Sequence, residues 1–239
     1  MKKLLLFLLL ASFSQAAELH VGAAANLSNV LPELSAAFES ATQIHVIPSF
    51  GATAQLTQQI ENGAPFDIFL SADVDHVQQL FSKGFLTSSP VIYARGQLVI
   101  WAPRRADIHG LADLAKADVR AIAIAKPELA PYGAAAIEAL KSAGLWDKLE
   151  SKVVYAPSIA ISKQYADTGN AEVAFTALAL TVGQSGNAIP VDGKLHQPID
   201  QALGIVKNSK DEKNAAAFSM FLMQPKAREI LKRFGYIQP

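Results

Sequence analysis

Four short segments of the chain carry hydrogen-bond donors where a strand-like stretch runs into a helix-like one. They are centred on Asn26, Thr53, Tyr132 and Ile159. The first turn of a helix has backbone N–H groups without intrahelical partners and carries a partial positive charge. Several such turns that converge on one cleft would bind an anion without any cationic side chain. The chemistry that these segments favour is therefore anion binding.

The first two turns are built from side chains too small to shield the backbone. Residues 22–25 read GAAA before Asn26, and residues 50–52 read FGA before Thr53. A ligand can approach backbone N–H groups closely only where such small residues stand. Asn26 and Thr53 are both predicted to cap the helices that follow, and the Thr53 hydroxyl can also donate to an oxyanion. Taken alone, Asn26 is better explained as an ordinary helix cap.

The other two turns precede helices in the second half of the chain. Residues 130–133 read APYG, and Ser158 precedes Ile159. Tyr132 is either a core or surface aromatic or a donor at the cleft, and its position at a strand-to-helix turn favours the cleft. Ile159 has no polar side chain, so only its backbone N–H can contribute.

Hydrophobic periodicity predicts two consecutive series of alternating strands and helices. The order βαβαβα in the first series implies parallel strands joined by right-handed crossovers. Ligands of such sheets bind beyond the carboxyl ends of the strands, where the turns at Asn26 and Thr53 would lie. The predicted strands are 18–23, 45–50, 67–71, 98–101, 119–125, 153–156 and 172–177.

Helix signals complete the pattern. Apolar residues at helical spacing run from Leu27 to Phe38, and two further helices are predicted to end near Gly63 and Gly84. Helices are also predicted over 134–143 and over 159–167. Two C-terminal helices follow: Ser209 and Glu212 stand in capping-box spacing for the first, and the second runs from Pro225 to Gly235.

Composition excludes several classes of protein. With 239 residues, 51% of them hydrophobic, the chain can bury a large core. Its 21 basic and 21 acidic residues balance, without a polybasic run, which disfavours nucleic acid and anionic membranes as partners. The absence of cysteine removes thiol catalysis, thiolate metal sites and a lipid-anchoring cysteine. The five histidines lack metal-ligand spacing, and no GxSxG turn or phosphate-binding P-loop occurs, so no enzyme is predicted.

Residues 1–17 have the design of a secretory signal peptide. Lys2 and Lys3 precede an apolar run over 4–10, and small residues follow up to Ala16 and Ala17, the two predicted cleavage positions. The run is far shorter than the roughly 20 residues that span a bilayer. We therefore expect an exported protein without a membrane anchor, in the periplasm of a Gram-negative cell.

Beyond these local patterns, the whole mature chain resembles one protein family, in order along the sequence. The segments that carry the resemblance are AAANL at 23–27, FGATAQL at 50–56, IENGAPFDIFLSAD at 60–73, YARGQLV at 93–99, residues 158–161 and TGNAEVA at 168–174. In these segments the chain is similar to the molybdate-binding periplasmic components of ABC importers.

The resemblance implies an α/β protein of the two-lobed periplasmic binding type (type II), each lobe a mostly parallel sheet flanked by helices. Lobe I would comprise 18–95 and 200–239, and lobe II 96–199, with hinges near 94–96 and 197–203. Members hold molybdate or tungstate with hydroxyl and N–H donors and no cationic side chain. The corresponding positions are Asn26, Thr53, Tyr132 and the Ile159 N–H, with the backbone of Ala25 and Ala52.

The same resemblance implies a monomer that delivers its oxyanion to a membrane permease and needs no cofactor, molybdenum being present only as the bound oxyanion. Many members have serine at the two first-lobe positions, where this chain has Asn26 and Thr53. A fully ionised dianion only accepts hydrogen bonds, so its ideal site contains donors alone. Asp73 is the nearest carboxylate that could accept from a protonated oxyanion.

Alternatives remain open at the level of sequence. Sulfate or phosphate would match the same donors, and a small carboxylate would call for an arginine that none of the four turns contains. A secreted adhesion or assembly factor could share the same fold.

Overall fold

The computed structural model describes residues 17–238 and contains two five-stranded mixed sheets flanked by helices. Residues 1–16, which hold nearly all of the predicted signal peptide, lie outside the described residues. The strands are β1 (Glu18–Ala24), β2 (His45–Gly51), β3 (Ile68–Ser71), β4 (Val91–Gly96), β5 (Leu98–Ala102), β6 (Ile122–Ala125), β7 (Val153–Ala156), β8 (Val173–Ala177), β9 (Asn187–Pro190) and β10 (Ile199–Ile205). The α-helices are α1 (Leu31–Thr42), α2 (Thr53–Glu61), α3 (Asp75–Ser82), α4 (Pro131–Ser142), α5 (Trp146–Leu149), α6 (Ile159–Thr168), α7 (Glu212–Leu222) and α8 (Pro225–Arg233).

The first sheet has the strand order β2-β1-β3-β10-β4. β1 pairs in parallel with β2 and β3, as the βαβαβα pattern predicts, whereas β10 is antiparallel to β3 and β4. Apolar residues of α1, α7 and α8 form one core cluster with this sheet, and those of α2 and α3 form a second. Aromatic contacts among Phe38, Phe218 and Phe221 join α1 to α7, with ring centroids 5.0 Å apart for Phe38 and Phe218.

The second sheet has the order β7-β6-β8-β5-β9 and the same division of pairings. β6 is parallel to β7 and β8, and β5 is antiparallel to β8 and β9. The two-lobed α/β class is confirmed, but parallel pairs make up half of each sheet rather than most of it. In the first sheet β10 alone runs opposite to the other four strands, and in the second sheet β5 alone does.

The chain passes between the two sheets twice. The first crossing is at Gln97, between β4 and β5, and the second lies between β9 and β10. These crossings adjoin the hinge segments predicted at 94–96 and 197–203, while the predicted lobe boundaries themselves stay a prediction.

Several helix boundaries differ from the prediction because local contacts replace the expected caps. A 3₁₀ turn over Ala25–Leu27 follows β1, and α1 begins only at Leu31, so Asn26 is not a helix cap. Thr53 is the first residue of α2, whose N-cap is Ala52. The N-cap of α7 is Asp211, whose side chain accepts from Asn214 N, and not Ser209.

Other differences concern strands and the start of α4. Strand β6 begins at Ile122 rather than at 119, and the pattern did not predict β4, β9 and β10. Helix α4 begins at Pro131, so Tyr132 lies within its first turn rather than before it. Within residues 17–238, no helix combines the length and apolar character needed to cross a bilayer.

Candidate functional site

The four predicted turns meet at one small cavity between the two sheets. The cavity includes all six predicted site residues in its wall, and its volume is about 10 Å³. A cavity of this size is too small for a sugar or an amino acid. The lining residues are Ala24, Ala25, Asn26, Gly51, Ala52, Thr53, Ala72, Ala130, Pro131, Tyr132 and Ile159.

The cavity wall is neutral. No Lys, Arg, His, Asp or Glu is among its lining residues in the described part of the chain. Its polar groups are the side chains of Asn26, Thr53 and Tyr132 and the exposed backbone of the small residues. An anion in this space would therefore be held by dipoles and hydrogen-bond donors rather than by an ion pair.

Three helices begin at the cavity: α2 with Thr53, α4 with Pro131 and Tyr132, and α6 with Ile159. Their first N–H groups have no intrahelical partners, and the helix dipole makes these ends positive. None of the three has an acidic residue in its first turn, whereas α1, α3 and α7 each have one. The positive ends that face the cavity are thus left free of competing carboxylates.

Local sequence explains how α4 reaches this position. Pro131 stands at the first turn, where its missing N–H costs nothing and its fixed φ favours a helical start. Gly133 packs against the carbonyl oxygen of Ala125, which a methyl group at that position would overlap. The glycine therefore lets the first turn of α4 lie directly against β6.

The Thr53 hydroxyl accepts one hydrogen bond and donates none among the described residues. Thr53 is almost fully buried, and its Oγ1 accepts a hydrogen bond from the Ala72 N–H at 3.3 Å. Because that N–H uses an acceptor lone pair, the hydroxyl hydrogen remains available to a ligand. Thr53 thus lies in the cavity wall with a hydroxyl that could donate, although it does not cap its helix.

The Asn26 side chain behaves differently from the prediction. Its Nδ2 donates to Gln201 Oε1 at 2.8 Å and to the Tyr236 hydroxyl at 2.8 Å, so both amide hydrogens are engaged. Asn26 Oδ1 has no hydrogen-bond partner among the described residues. The amide of Asn26 is therefore not a free donor, and its contribution to a fully ionised oxyanion has to come from its backbone.

The phenol of Tyr132 lies beside Gly96 and makes no hydrogen bond within the described residues. A methyl group at Gly96 would overlap the Tyr132 hydroxyl, which places this oxygen beside the first chain crossing. The hydroxyl has no hydrogen-bond partner among residues 17–238, and burial raises the pKa of Tyr132 well above its ordinary value, with smaller effects from Tyr236 and Tyr93. The phenol is neutral at physiological pH, and the part of Tyr132 in the first turn of α4 is its backbone.

Asp73 does not line the cavity. Its carboxylate interacts with His76 Nδ1 at 2.7 Å and accepts from Ser71 Oγ at 3.0 Å. The carboxylate that could have accepted from a protonated oxyanion is therefore engaged at the start of α3. Elsewhere, no group of three or more His, Cys, Asp or Glu residues in 17–238 is arranged to hold a metal ion.

The two sheets are in contact around the cavity. The Ala54 N–H of α2 donates to the Leu129 carbonyl at 3.1 Å, and Asn29 Nδ2 donates to the Leu180 carbonyl at 3.2 Å. Ala24, Ala25 and Ala72 pack in the same apolar cluster as residues of the second sheet. The arrangement is therefore closed over the cavity.

Two residues of this region were missed by reasoning from sequence. Gln201 in β10 and Tyr236 after α8 are buried and hold the Asn26 amide. They lie 175 and 210 residues from Asn26 in the chain. No local spacing signals such a contact, and Gln201 was included only as part of a predicted hinge.

Two α/β units joined by two chain crossings, with a small donor-lined cavity between them, define a two-lobed periplasmic binding protein fold. A family model described as "Bacterial extracellular solute-binding protein" matches residues 19–237. The chain belongs to this family of extracellular solute-binding proteins.

Individual relatives match over nearly the whole chain. The molybdate-binding protein ModA of Azotobacter vinelandii is 41% identical over 238 residues, which cover 95% of this chain and 93% of the relative. ModA of Rhodobacter capsulatus is 36% identical over 232 residues, which cover 95% and 91%. A solved structure of the Azotobacter vinelandii periplasmic molybdate-binding protein superposes with a TM-score of 0.88 at 34% identity, covering 92% of this chain and 99% of that one.

Proposed function

We propose that this protein captures molybdate, and with it tungstate, in the cavity between its two lobes and delivers the oxyanion to the permease of an ABC importer. The observation that carries the proposal is the neutral cavity at which three helices begin and whose wall includes Thr53, the hydroxyl of which already accepts from the Ala72 N–H. The ligand contacts are Thr53 and the backbone of Ala25, Asn26, Ala52, Tyr132 and Ile159.

The chemistry of the cavity supports a fully ionised tetrahedral oxyanion. Such an ion accepts hydrogen bonds at every oxygen, and charge-assisted bonds of this kind are strong. A wall without carboxylates disfavours protonated ligands, and a wall without arginine or lysine disfavours organic acids. The names of the relatives over nearly the full length support molybdate within this class.

The alternative is another oxyanion, sulfate or phosphate. Sulfate would present the same acceptors, so the size of the cavity has to discriminate against it. The unpartnered Oδ1 of Asn26 is an acceptor that a hydrogen phosphate could use. These ligands are therefore the proper competitors in a test.

The remaining parts of the proposal concern the setting of the protein. Residues 1–17 direct export and are removed, and the mature protein acts as a monomer in the periplasm of a Gram-negative cell, without a membrane anchor. It carries no cofactor and catalyses no reaction, because its cavity holds a ligand that leaves unchanged.

Parallel calorimetric titration tests the proposal. Purified protein, dialysed to remove bound anion, is titrated with molybdate, tungstate, sulfate and phosphate, and thermal unfolding is followed with each. We expect tight binding and a rise in Tm with the first two alone, since a ligand stabilises the native state by RT ln(1 + [L]/Kd). Preferential binding of sulfate or phosphate would show that molybdate is not the preferred ligand. No response to any of the four oxyanions would contradict the binding function.

A further inference from the structure

A buried side-chain amide in β10 connects the two turns that the first sheet contributes to the cavity. Gln201 is fully buried, and its Oε1 accepts from Asn26 Nδ2 at 2.8 Å. Its Nε2 donates to the carbonyls of Ile199 at 3.0 Å and Ala72 at 3.3 Å. Because both partners of Nε2 are carbonyls, the amide can adopt only this orientation, and the orientation of Asn26 follows from it.

The Ala72 contact extends this control to Thr53. The Ala72 carbonyl accepts from Gln201, and the Ala72 N–H donates to Thr53 Oγ1. Gln201 therefore fixes the position of Ala72, which in turn donates to the Thr53 hydroxyl oxygen. One side chain thus stands behind both the Asn26 turn and the Thr53 turn, without being a lining residue of the cavity.

Tyr236, from the segment after α8, fixes the Asn26 turn from the other side. Its hydroxyl accepts from Asn26 Nδ2 at 2.8 Å and donates to the Asn26 carbonyl at 3.1 Å. Two bonds to one residue fix both the side chain and the backbone of Asn26. This geometry explains why a residue with no free amide hydrogen lies in the wall of a donor site.

We infer that Gln201 and Tyr236 are positioning residues for oxyanion binding, which act through Asn26 and Ala72 and do not touch the ligand. The inference rests on the proposed function and adds to it the residues that hold the donors in place. Preorganised donors bind an anion more tightly than donors that must be ordered on binding. Loss of either positioning residue then lowers affinity without removing a ligand contact.

Matched tyrosine variants provide the test. Tyr236→Phe removes the two hydrogen bonds to Asn26, whereas Tyr93→Phe removes a buried hydroxyl that has no hydrogen-bond partner among the described residues. Molybdate titration should give a Kd about 5- to 10-fold higher for Tyr236→Phe and unchanged for Tyr93→Phe. Gln201→Met, close in size but without hydrogen bonds, should weaken binding by about 10-fold or more, because it releases both turns.

A double-mutant cycle separates positioning from a general effect on folding. If Tyr236 acts through Asn26, the effect of Tyr236→Phe on the Kd should be smaller in an Asn26→Ala background than in the wild type, because only the bond to the backbone carbonyl of residue 26 is left there to lose. Effects that multiply in the double variant, or equal Kd values for wild type, Tyr236→Phe and Gln201→Met, would overturn the inference and leave the proposed function standing. Should the wild type bind no oxyanion, the proposed function fails first and the inference with it. The Tm measured without ligand shows whether each variant is folded. If Tyr236→Phe is not folded, the test is made with Gln201→Met.

Discussion

At the scale of single residues, whether a polar group in the cavity wall can bind a ligand depends on the hydrogen bonds that it already makes within the protein. Thr53 Oγ1 accepts a hydrogen bond from the Ala72 N–H, and the hydrogen of the Thr53 hydroxyl is not used in that bond. In contrast, Asn26 donates both of its amide hydrogens, one to Gln201 and one to Tyr236. Two polar residues in similar turns therefore differ in which of their groups remain available to a ligand. Thr53 offers a hydroxyl donor, and Asn26 offers its backbone.

Replacing Thr53 tests the hydroxyl directly. Thr53→Val keeps the shape of the side chain but removes the donor, and we expect molybdate binding to weaken by about 1–3 kcal/mol, the cost of leaving a charged acceptor without a partner. Thr53→Ser keeps the hydroxyl and should remain within about 1 kcal/mol of the wild type. Calorimetry that found equal affinity for the valine and serine variants would remove the hydroxyl from the site.

At the scale of elements, helix N-termini are used in two ways. Helices α2, α4 and α6 lack first-turn acids and begin at the cavity, where the positive ends of their dipoles remain available to an anion. In α3, which begins away from the cavity, Asp75 lies in the first turn, and Asp73 accepts from the backbone N–H of His76 at 3.1 Å. The positive ends of helices therefore face a cavity in one case and are stabilised by nearby carboxylates in the other.

The start of α3 should make stability depend on pH. The hydrogen bond and the charge of Asp73 raise the pKa of His76 above its ordinary value, against the opposing effect of burial. Protonated His76 therefore stabilises the fold fully below its unfolded-state pKa of about 6.5, and this contribution is lost as pH rises through the higher folded-state pKa.

His76→Gln tests that dependence by thermal unfolding across the same range. The variant should have a lower Tm than the wild type near pH 6, and the difference should shrink above pH 8 or so. Asp73→Asn in the His76→Gln background should add no further dependence around neutral pH. A Tm difference that stays constant with pH would show that the pair does not titrate in this way.

At the scale of the whole molecule, the contact between the two α/β units decides whether the cavity is complete. The Tyr132 hydroxyl, at the tip of α4, lies against Gly96 next to the first chain crossing. Only a residue without a side chain leaves space for it there. The bond between the Ala54 N–H and the Leu129 carbonyl is made in the same closed arrangement.

Gly96→Ala should therefore oppose closure. Its methyl group would occupy the position of the Tyr132 hydroxyl, so we expect oxyanion affinity to fall by about tenfold or more, with the lobes individually folded. Gly110→Ala is the matched control, since its backbone is extended and a methyl group there meets nothing within 4 Å. Small-angle scattering with molybdate should show a more open Gly96→Ala variant, and a profile and Kd equal to the wild type would contradict this account of closure.

Sequence alone determined the alternation of strands and helices, the parallel start of the first sheet and the four small-residue turns. These features have local causes: the periods of strand and helix, the absence of shielding side chains and the unpaired N–H groups of helix ends. It also indicated that an anion would be held without a cation. The segments around Asn26, Thr53, Tyr132 and Ile159 meet at one cavity as that reasoning required.

The tertiary structure alone decided which groups at those turns are free to bind. The Asn26 side-chain amide donates to Gln201 and Tyr236, which lie 175 and 210 positions away in the chain. The Tyr132 hydroxyl lies beside Gly96, next to the first chain crossing. The antiparallel return of β10 brings Gln201 behind the site, and no local pattern encodes that placement. Donor identity follows from residue type, but donor availability depends on partners that only folding brings together.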